Sequence, residues 1–245
     1  MPRMYIEIKP LVIEMKGPLA LNTGFRRGLI HRTVERDAEG LVYIPASSLK
    51  GRVRHACEQV ARKFGLRVCH APRPTGMCSA HTPKLCLVCR VFGTPGRGSE
   101  LRWQDARLVE EYRDILAGDE ARRQAQFYVR TQVQLSRRLG TATPDRLFTS
   151  EFALENLRFE SAITGWLDVT PIAGEDATGG YELLLLLAGL RLVHTLGSGS
   201  SRGAGHCAIH LPEQVIVGMK PVQVADILDN FDLLGEFTRE MENGD

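Results

Sequence analysis

Four cysteines within a short stretch have the types and spacing of a metal site. The pattern C-x8-C-x7-C-x2-C is formed by Cys69, Cys78, Cys86 and Cys89, and His70 and His81 are possible substitute ligands. Zinc favours four thiolate or imidazole ligands in a tetrahedron, and a short polar segment needs such a cross-link to hold a shape. We therefore predict a structural zinc site, because four cysteine ligands leave no open position for catalysis. Free reduced thiols are the alternative.

A second stretch combines hydroxyls and positive charge at the start of a helix. A β-prone run at residues 41–44 ends at Pro45, and the apolar spacing after it predicts a helix that runs to about residue 64. The expected N-cap is formed by Ser47 and Ser48, and three cations follow closely: Lys50, Arg52 and Arg54. Such a helix start can bind phosphates through free N–H groups and the helix dipole. An ordinary capped helix with a solvated basic face is the alternative.

Further stretches are polar or basic, and one of them suits a phosphodiester chain. The run HTLGSGSSRGAGH at residues 194–206 predicts a flexible glycine-rich loop whose backbone amides could contact phosphates. A bare linker is the alternative, although the predicted strand at 207–211 follows at once. Residues 127–135 predict a strand that continues into a polar, basic arm at 136–148, for which a disordered surface loop is the alternative. Residues 17–36, which include Arg26 and Arg27, predict a loop or weak strand open to a ligand.

Composition and the remaining patterns limit the class of protein. The 245 residues are 43% hydrophobic with a net charge of +2, as in soluble globular proteins. No targeting segment is visible, the longest apolar run is too short for a bilayer, and six cysteines without a secretory signal indicate reduced thiols. We expect a soluble cytoplasmic protein without membrane partners. The glycine-rich turn at 91–99 lacks the G-K-[ST] ending of a P-loop, so it does not indicate a nucleotide site.

Alternation and apolar runs predict the other elements. Strands are expected at residues 4–14, 101–109, 152–154, 158–169, 181–192 and 207–211, and a linker or short helix at 116–125. Buried positions are expected for Cys57, Cys207, Trp103 and Trp166. Residues 68–90 lack the apolar periodicity needed for a core of their own.

Taken together, four stretches resemble the successive signatures of the RAMP superfamily of CRISPR-associated proteins. Three are IPASSLKGRVRH, CRVFGTPGRGSELRWQDARL and LGSGSSRGAGH, and VRTQVQLSRRLGTATPDRLFTSEFALENLRF is similar to the thumb region of that family. The match keeps the family's order over most of the chain. In particular, the chain resembles the repeated backbone subunit of type III effector complexes, or its non-slicing type VII-like or type IV-like relatives.

The resemblance implies an α+β fold in a single domain over residues 1–245. That domain would have an RRM-like (ferredoxin-like) core, a zinc-finger insertion at 68–90, a thumb β-hairpin at about 130–150 and a glycine-rich loop. Such subunits stack head to tail along a CRISPR RNA and present it to a complementary target RNA, beside other effector subunits and, in some systems, a separate nuclease. The RNA-binding residues implied here are Arg26, Arg27, Ser47, Ser48, Lys50, Arg52, Arg54, Arg130, Arg137, Arg138, Phe148, Gly197, Ser198, Gly199, Arg202 and Gly203.

Target cleavage is where the sequence departs from the family pattern. Slicing members carry an aspartate after a Gly-hydrophobic-Ile run, and metal-dependent cleavage depends on it. The corresponding run here is Gly28-Leu29-Ile30, which places His31 at the aspartate's position, and Asp37 is the nearest carboxylate. Histidine is a poor ligand for Mg²⁺, although it could act as a general base on a 2′-hydroxyl.

Three functions therefore remain open. We favour an RNA-binding backbone subunit without slicing activity. A metal-dependent endoribonuclease that cuts the guide-paired target once per subunit is the alternative. A third possibility, an enzyme that processes precursor guides, would use His194 and His206, which flank the glycine-rich loop.

Overall fold

The computed structural model describes residues 2–79, 82, 84–172 and 179–237. Its strands are β1 (Arg3–Met15), β2 (Tyr43–Ile44), β3 (Gly93–Thr94), β4 (Arg97–Gly98), β5 (Leu101–Trp103), β6 (Ala106–Leu108), β7 (Phe127–Leu135), β8 (Ala142–Ala153), β9 (Arg158–Asp168), β10 (Cys207–His210), β11 (Gln214–Val217) and β12 (Lys220–Gln223). Its helices are α1 (Ala46–Lys63), α2 (Leu87–Phe92), α3 (Glu110–Leu116), α4 (Glu120–Ala125), α5 (Gly180–Arg191) and α6 (Val224–Asp229), with 3-10 turns at Pro74–Gly76, Ser200–Arg202 and Phe231–Glu236. The expected mixed α+β class is confirmed. In this part of the chain, no helix combines the length and the apolar character needed to cross a bilayer.

An antiparallel sheet with strand order β12-β11-β1-β9-β6-β2 forms the centre of the molecule. Strand β10 also pairs with β1, and β5 also pairs with β9. The sequence of β1 explains its central place, because Ile6, Ile8, Leu11 and Ile13 are all fully buried. Their spacing changes parity at Lys9 and Pro10, where the β1–β9 register shifts. This irregularity keeps both apolar pairs on the same face of the sheet, since side chains alternate with a period of two.

Helix α5 shows that the strand predicted at residues 181–192 is wrong. The segment is helical, and all of its residues from Gly180 to Leu190 are buried. A helix that is buried on every side lacks the polar face that reveals helical spacing, so its apolar run matched a buried strand equally well. Helix α5 packs against α1, and a Cβ on Gly189 would lie 2.2 Å from the Sγ atom of Cys57. Glycine therefore permits the close approach of the two helices.

The start of α1 also differs from the prediction. Helical hydrogen bonding begins at the carbonyl of Pro45, which accepts from the N–H groups of Ser48 (3.0 Å) and Leu49 (3.1 Å). Neither Ser47 nor Ser48 is therefore the N-cap, since both lie inside the first turn. The carboxylate of Asp105 instead accepts from the N–H of Ala46 at 2.7 Å. A residue from a distant segment thus satisfies a helix N–H, which local sequence could not indicate.

The other predicted elements have mixed outcomes. Strands β1, β9 and β10 confirm the predictions at 4–14, 158–169 and 207–211, whereas 101–109 forms two strands, β5 and β6. The two cysteines outside the cluster, Cys57 and Cys207, are buried as expected, and burial raises the pKa of both thiols, that of Cys207 to about 11. Trp103 packs against the core. Trp166 does not, because it is 49% exposed and contacts Tyr5 edge-to-face on the solvent side of the sheet.

Besides the short β3–β4 hairpin, two larger hairpins lie outside the main sheet. Strands β7 and β8 pair with each other and form the long hairpin. The segment predicted as a loop or weak strand forms the small hairpin (residues 22–34), in which isolated bridges join Asn22 to Val34 and Arg27 to Ile30. A further bridge joins Arg32 to Ser150 on β8. The two hairpins therefore lie side by side.

The cysteine-bearing insertion shares the core of the domain. On α2, the side chains of Leu87, Val88 and Val91 are buried within the main hydrophobic cluster. Beside them, the Nη2 atom of Arg90 lies 2.7 Å from the Oε1 atom of Glu182 on α5. Burial raises the pKa of Glu182, although the positive charge of Arg90 opposes that shift. The insertion is therefore anchored to α5 by apolar contacts and by a buried ion pair.

Candidate metal centre and nucleic-acid interface

The four predicted cysteine ligands meet in one cluster. The sulfur atoms of Cys69, Cys78, Cys86 and Cys89 all lie within 4.8 Å of one another. The sulfur–sulfur distance is 3.3 Å between Cys69 and Cys89 and 3.8 Å between Cys86 and Cys69. The C-x2-C pair lies at the start of α2, and the helix brings both thiols to the same side. Sequence spacing alone predicted this cluster.

The cluster fits a zinc ion. Four sulfurs at about 2.3 Å from a tetrahedral zinc lie about 3.8 Å from one another, which is close to the observed spacing. Three of the thiols are buried, and a hydrogen bond from Cys89 lowers the pKa of Cys86 to about 5. A zinc ion bound here would be closed off by four thiolates and would cross-link the insertion. His70 is exposed and is not in the cluster, whereas His81 lies outside the described residues.

Arg54 connects this cluster to α1. Its Nη2 atom donates to the Sγ atom of Cys89 at 3.3 Å, and its Nη1 atom donates to the carbonyl of Gly93 at 3.1 Å. Its Nε atom donates to Glu58, one turn further along the helix, at 3.2 Å. The guanidinium therefore faces the cysteines and places a positive charge beside a cluster whose thiols would bind a metal ion as thiolates. Its predicted role at a guide phosphate stays a prediction.

Arg52 joins the start of α1 to the glycine-rich loop. Its Nε atom donates to the carbonyl oxygen of Thr195 at 2.9 Å, and its Nη2 atom contacts the Thr195 hydroxyl. The two residues are 143 positions apart in the sequence. Nearby, Ser47 is exposed and Ser48 partly buried. Burial lowers the pKa of Lys50, and the charge of Arg54 lowers it further.

The glycine-rich loop is a hydrogen-bonded turn and is not the flexible loop that we expected. Across the loop, the N–H of Leu196 donates to the carbonyl of Gly205 at 2.8 Å. Two bonds fix the loop to the segment after β1: from Gly205 to the carbonyl of Pro18 (2.8 Å) and from Ser198 to that of Ala20 (2.9 Å). Gly205 has φ +76°, and a Cβ there would lie 2.0 Å from the Leu196 oxygen. Only glycine fits this position without displacing the turn.

The tip of this loop presents Arg202 to solvent. The 3-10 turn Ser200–Arg202 is flanked by Gly199 (φ +82°) and Gly203 (φ +81°), both left-handed. Gly197 has φ +79°, with the Ala20 carbonyl 2.6 Å from its ideal Cβ position. At the base of the loop, His194 and His206 are both exposed. The loop therefore offers one arginine on an ordered backbone.

The long hairpin carries the other predicted cationic residues. In its turn, Arg137 and Arg138 are exposed. Further down, the Arg130 guanidinium lies 5.2 Å from the ring of Tyr128 and 5.3 Å from that of Phe152. Phe148 is partly buried, with the Arg32 guanidinium 5.1 Å from its ring. Arginine guanidinium groups thus lie against aromatic rings at two places on the long hairpin, one from Arg130 and one from Arg32 of the small hairpin.

The small hairpin connects the glycine-rich loop to the long hairpin. At its base, the Nδ2 atom of Asn22 donates to the hydroxyl of Ser198 at 3.0 Å. On its other arm, the N–H of His31 donates to the carbonyl of Thr149 on β8 at 3.0 Å. Its predicted RNA-binding residues, Arg26 and Arg27, are exposed. The start of α1, the glycine-rich loop, the small hairpin and the long hairpin are therefore linked in series, and we call this set the candidate RNA face.

Sequence reasoning missed two residues that join parts of this face. Thr195 accepts a hydrogen bond from Arg52, and Asn22 donates one to Ser198 in the glycine-rich loop. A lone threonine or asparagine beside a motif carries no pattern of its own, so no sequence signal marked these contacts.

The two catalytic candidates, Asp37 and His31, both accept hydrogen bonds from backbone N–H groups. The Oδ1 atom of Asp37 accepts from the N–H groups of Glu39 (3.0 Å) and Leu41 (2.9 Å), as in a tight turn. The Nδ1 atom of His31 accepts from the N–H of Thr149 at 3.1 Å. This hydrogen bond occupies the lone pair of Nδ1, and in the neutral ring the proton then lies on Nε2. Within the described ranges, the cysteine cluster is the one group of three or more potential metal ligands.

Comparison with known proteins identifies the family. No curated protein matches the chain significantly. A model of the RAMP superfamily matches residues 12–208, which contain α1, the cysteine cluster, both hairpins and the glycine-rich loop. The chain therefore belongs to the RAMP superfamily, whose proteins take part in CRISPR-associated complexes.

Proposed function

We propose that this protein is a CRISPR RNA-binding backbone subunit of an effector complex, without slicing activity of its own. The observation that carries the proposal is the contact of Arg52 with Thr195, which places the basic start of α1 beside the glycine-rich loop. These are the two stretches that the sequence singles out as phosphate-binding. Membership of the RAMP superfamily supports CRISPR RNA as the ligand.

The chemistry of this face suits an RNA of any sequence. Lys50 has no ion pair among the described residues, and Arg202 is exposed, so both charges are available to phosphates. Ser47 and the first N–H groups of α1 add uncharged donors. Phosphate contacts carry no sequence information, which a protein that receives many different guides requires.

The order of elements supports an RRM-like core. The segments β1, α1, β6, β9, α5 and β10 follow one another as β-α-β-β-α-β, and the strands lie in the order β10-β1-β9-β6. On this core, the cysteine insertion and the long hairpin correspond to the zinc finger and the thumb. Copies of the protein would then stack head to tail along the guide, beside other effector subunits, and present it to target RNA.

We assign cleavage of the target RNA to another component of the effector complex, such as a separate nuclease. The alternative, metal-dependent cleavage by this subunit, has little support because Asp37 is bound to the backbone and His31 accepts a hydrogen bond from Thr149. General acid–base help alone contributes only about 10²- to 10⁴-fold.

A cleavage assay tests this assignment. The guide-loaded complex, without any other nuclease, is mixed with a labelled complementary RNA in the presence and absence of Mg²⁺. We expect tight target binding and intact RNA in both conditions. Regularly spaced, Mg²⁺-dependent cuts would overturn the assignment, and Asp37→Asn and His31→Gln would then show which residue supports them.

A further inference from the structure

The tip of the small hairpin exposes two large apolar side chains. Phe25 is 77% exposed, and Leu29 is 90% exposed. A single exposed apolar residue is ordinary, but an aromatic ring and a leucine together at one tip indicate a surface that binds another molecule.

The charge around these residues indicates what covers them. From Lys16 to Val34 the chain contains no aspartate or glutamate, whereas it carries Lys16, Arg26, Arg27 and Arg32. Arg26 and Arg27 directly follow Phe25, and both are exposed. An exposed ring beside two arginines matches a nucleic-acid strand, since a base can stack on the ring while phosphates meet the guanidinium groups.

The hairpin holds the backbone of Phe25 in a fixed place. Its N–H donates to the hydroxyl of Thr23 at 2.9 Å, and its carbonyl accepts from the hydroxyl of Thr33 at 3.2 Å. Beyond it, Arg27 and Ile30 exchange two backbone hydrogen bonds of 3.0 Å around Gly28, which has φ +58°. Because the backbone is ordered before binding, little backbone conformational entropy remains to be lost when a base contacts the ring.

We propose that Phe25 is a base-stacking residue for single-stranded RNA, with Arg26 and Arg27 on the flanking phosphates and Leu29 against the neighbouring sugar or base. The contacts of Asn22 with Ser198 and of His31 with Thr149 place the hairpin between the glycine-rich loop and the long hairpin. A strand that runs from one to the other would pass along the small hairpin. This inference rests on the proposed RNA-binding function. It extends that function by adding a second protruding element that contacts RNA, beside the long hairpin.

The test measures the affinity of the purified protein for a fluorescein-labelled single-stranded RNA of mixed sequence, by fluorescence anisotropy. Phe25→Leu keeps an apolar side chain and removes the ring, whereas Phe25→Tyr keeps the ring. Met219→Asn is the matched control, because Met219 is 89% exposed on the turn between β11 and β12. We expect Phe25→Leu to weaken binding by about 5- to 150-fold, and the other two variants to stay within about twofold of the wild type.

Each other outcome has a definite meaning. If the wild type binds and Phe25→Leu binds equally well, stacking is refuted while the proposed function stands. Equal losses in Phe25→Leu and Phe25→Tyr also refute stacking, because the tip then packs against protein, such as a second copy. If the wild type does not bind the RNA while its melting temperature shows that it is folded, both proposals fail.

Discussion

Replacing Cys86 with serine tests whether the cysteine cluster is a structural zinc site. In zinc-finger peptides, zinc binding at neutral pH is worth about 10 to 16 kcal/mol. If four ligands share this equally, the loss of one removes about 2.5 to 4 kcal/mol. For a domain of this size, such a loss lowers the melting temperature by about 5 to 16 °C. The loss reaches the whole domain because α2, which begins next to Cys86, is buried in the main core.

The assay combines zinc content with thermal unfolding. We expect one zinc ion per wild-type chain, and zinc in Cys86→Ser that is bound more weakly and is removed by less chelator. The melting temperature should be lower for the variant, and lower still for the chelated wild type. Cys207→Ser is the matched control, since Cys207 is also buried but lies outside the cluster. It is expected to keep its zinc even if the buried hydroxyl costs about 1 to 3 kcal/mol. A wild type that contains no zinc, or that melts at the same temperature after zinc removal, would refute the structural-metal interpretation.

Two further predictions concern the candidate RNA face. Lys50→Glu and Arg202→Glu should each weaken guide binding at least tenfold, because each puts a negative charge next to a phosphate. The melting temperature of both variants should change little. Unimpaired guide binding in both variants would contradict the assignment. Gly205→Ala should destabilise the glycine-rich loop by about 1 to 3 kcal/mol more than Gly203→Ala, because both glycines have positive φ but only the first would place a Cβ against backbone, at the Leu196 carbonyl. Hydrogen exchange of the loop amides measures this difference, and equal protection in the two variants would show that the loop is not held as described.

Local spacing was sufficient to predict the cysteine cluster and the central strands. The first turn of α2 is enough to bring the two cysteines of the C-x2-C pair together. The alternation of apolar and polar residues in β1 and β9 is strong because one face of the sheet is buried. The start of α1 could be predicted only approximately, since the residue that caps it, Asp105, comes from a separate segment.

Tertiary context determined what the sequence could not reveal. The apolar run of α5 fits a buried strand or a buried helix equally well, and only its packing against α1 decides between them. The small hairpin has no alternating pattern because its two arms are held by isolated bridges and side-chain hydrogen bonds. Arg54 illustrates the same limit, because its side-chain contact with Cys89 could not be predicted from its position in the sequence.

The number of protein copies bound to each RNA tests the central claim most directly. Native mass spectrometry of the protein with single-stranded RNAs of increasing length would count the copies in each complex. A backbone subunit predicts that the number of copies rises in proportion to RNA length, whatever the sequence. One copy on every RNA, or no complex at all, would contradict the account.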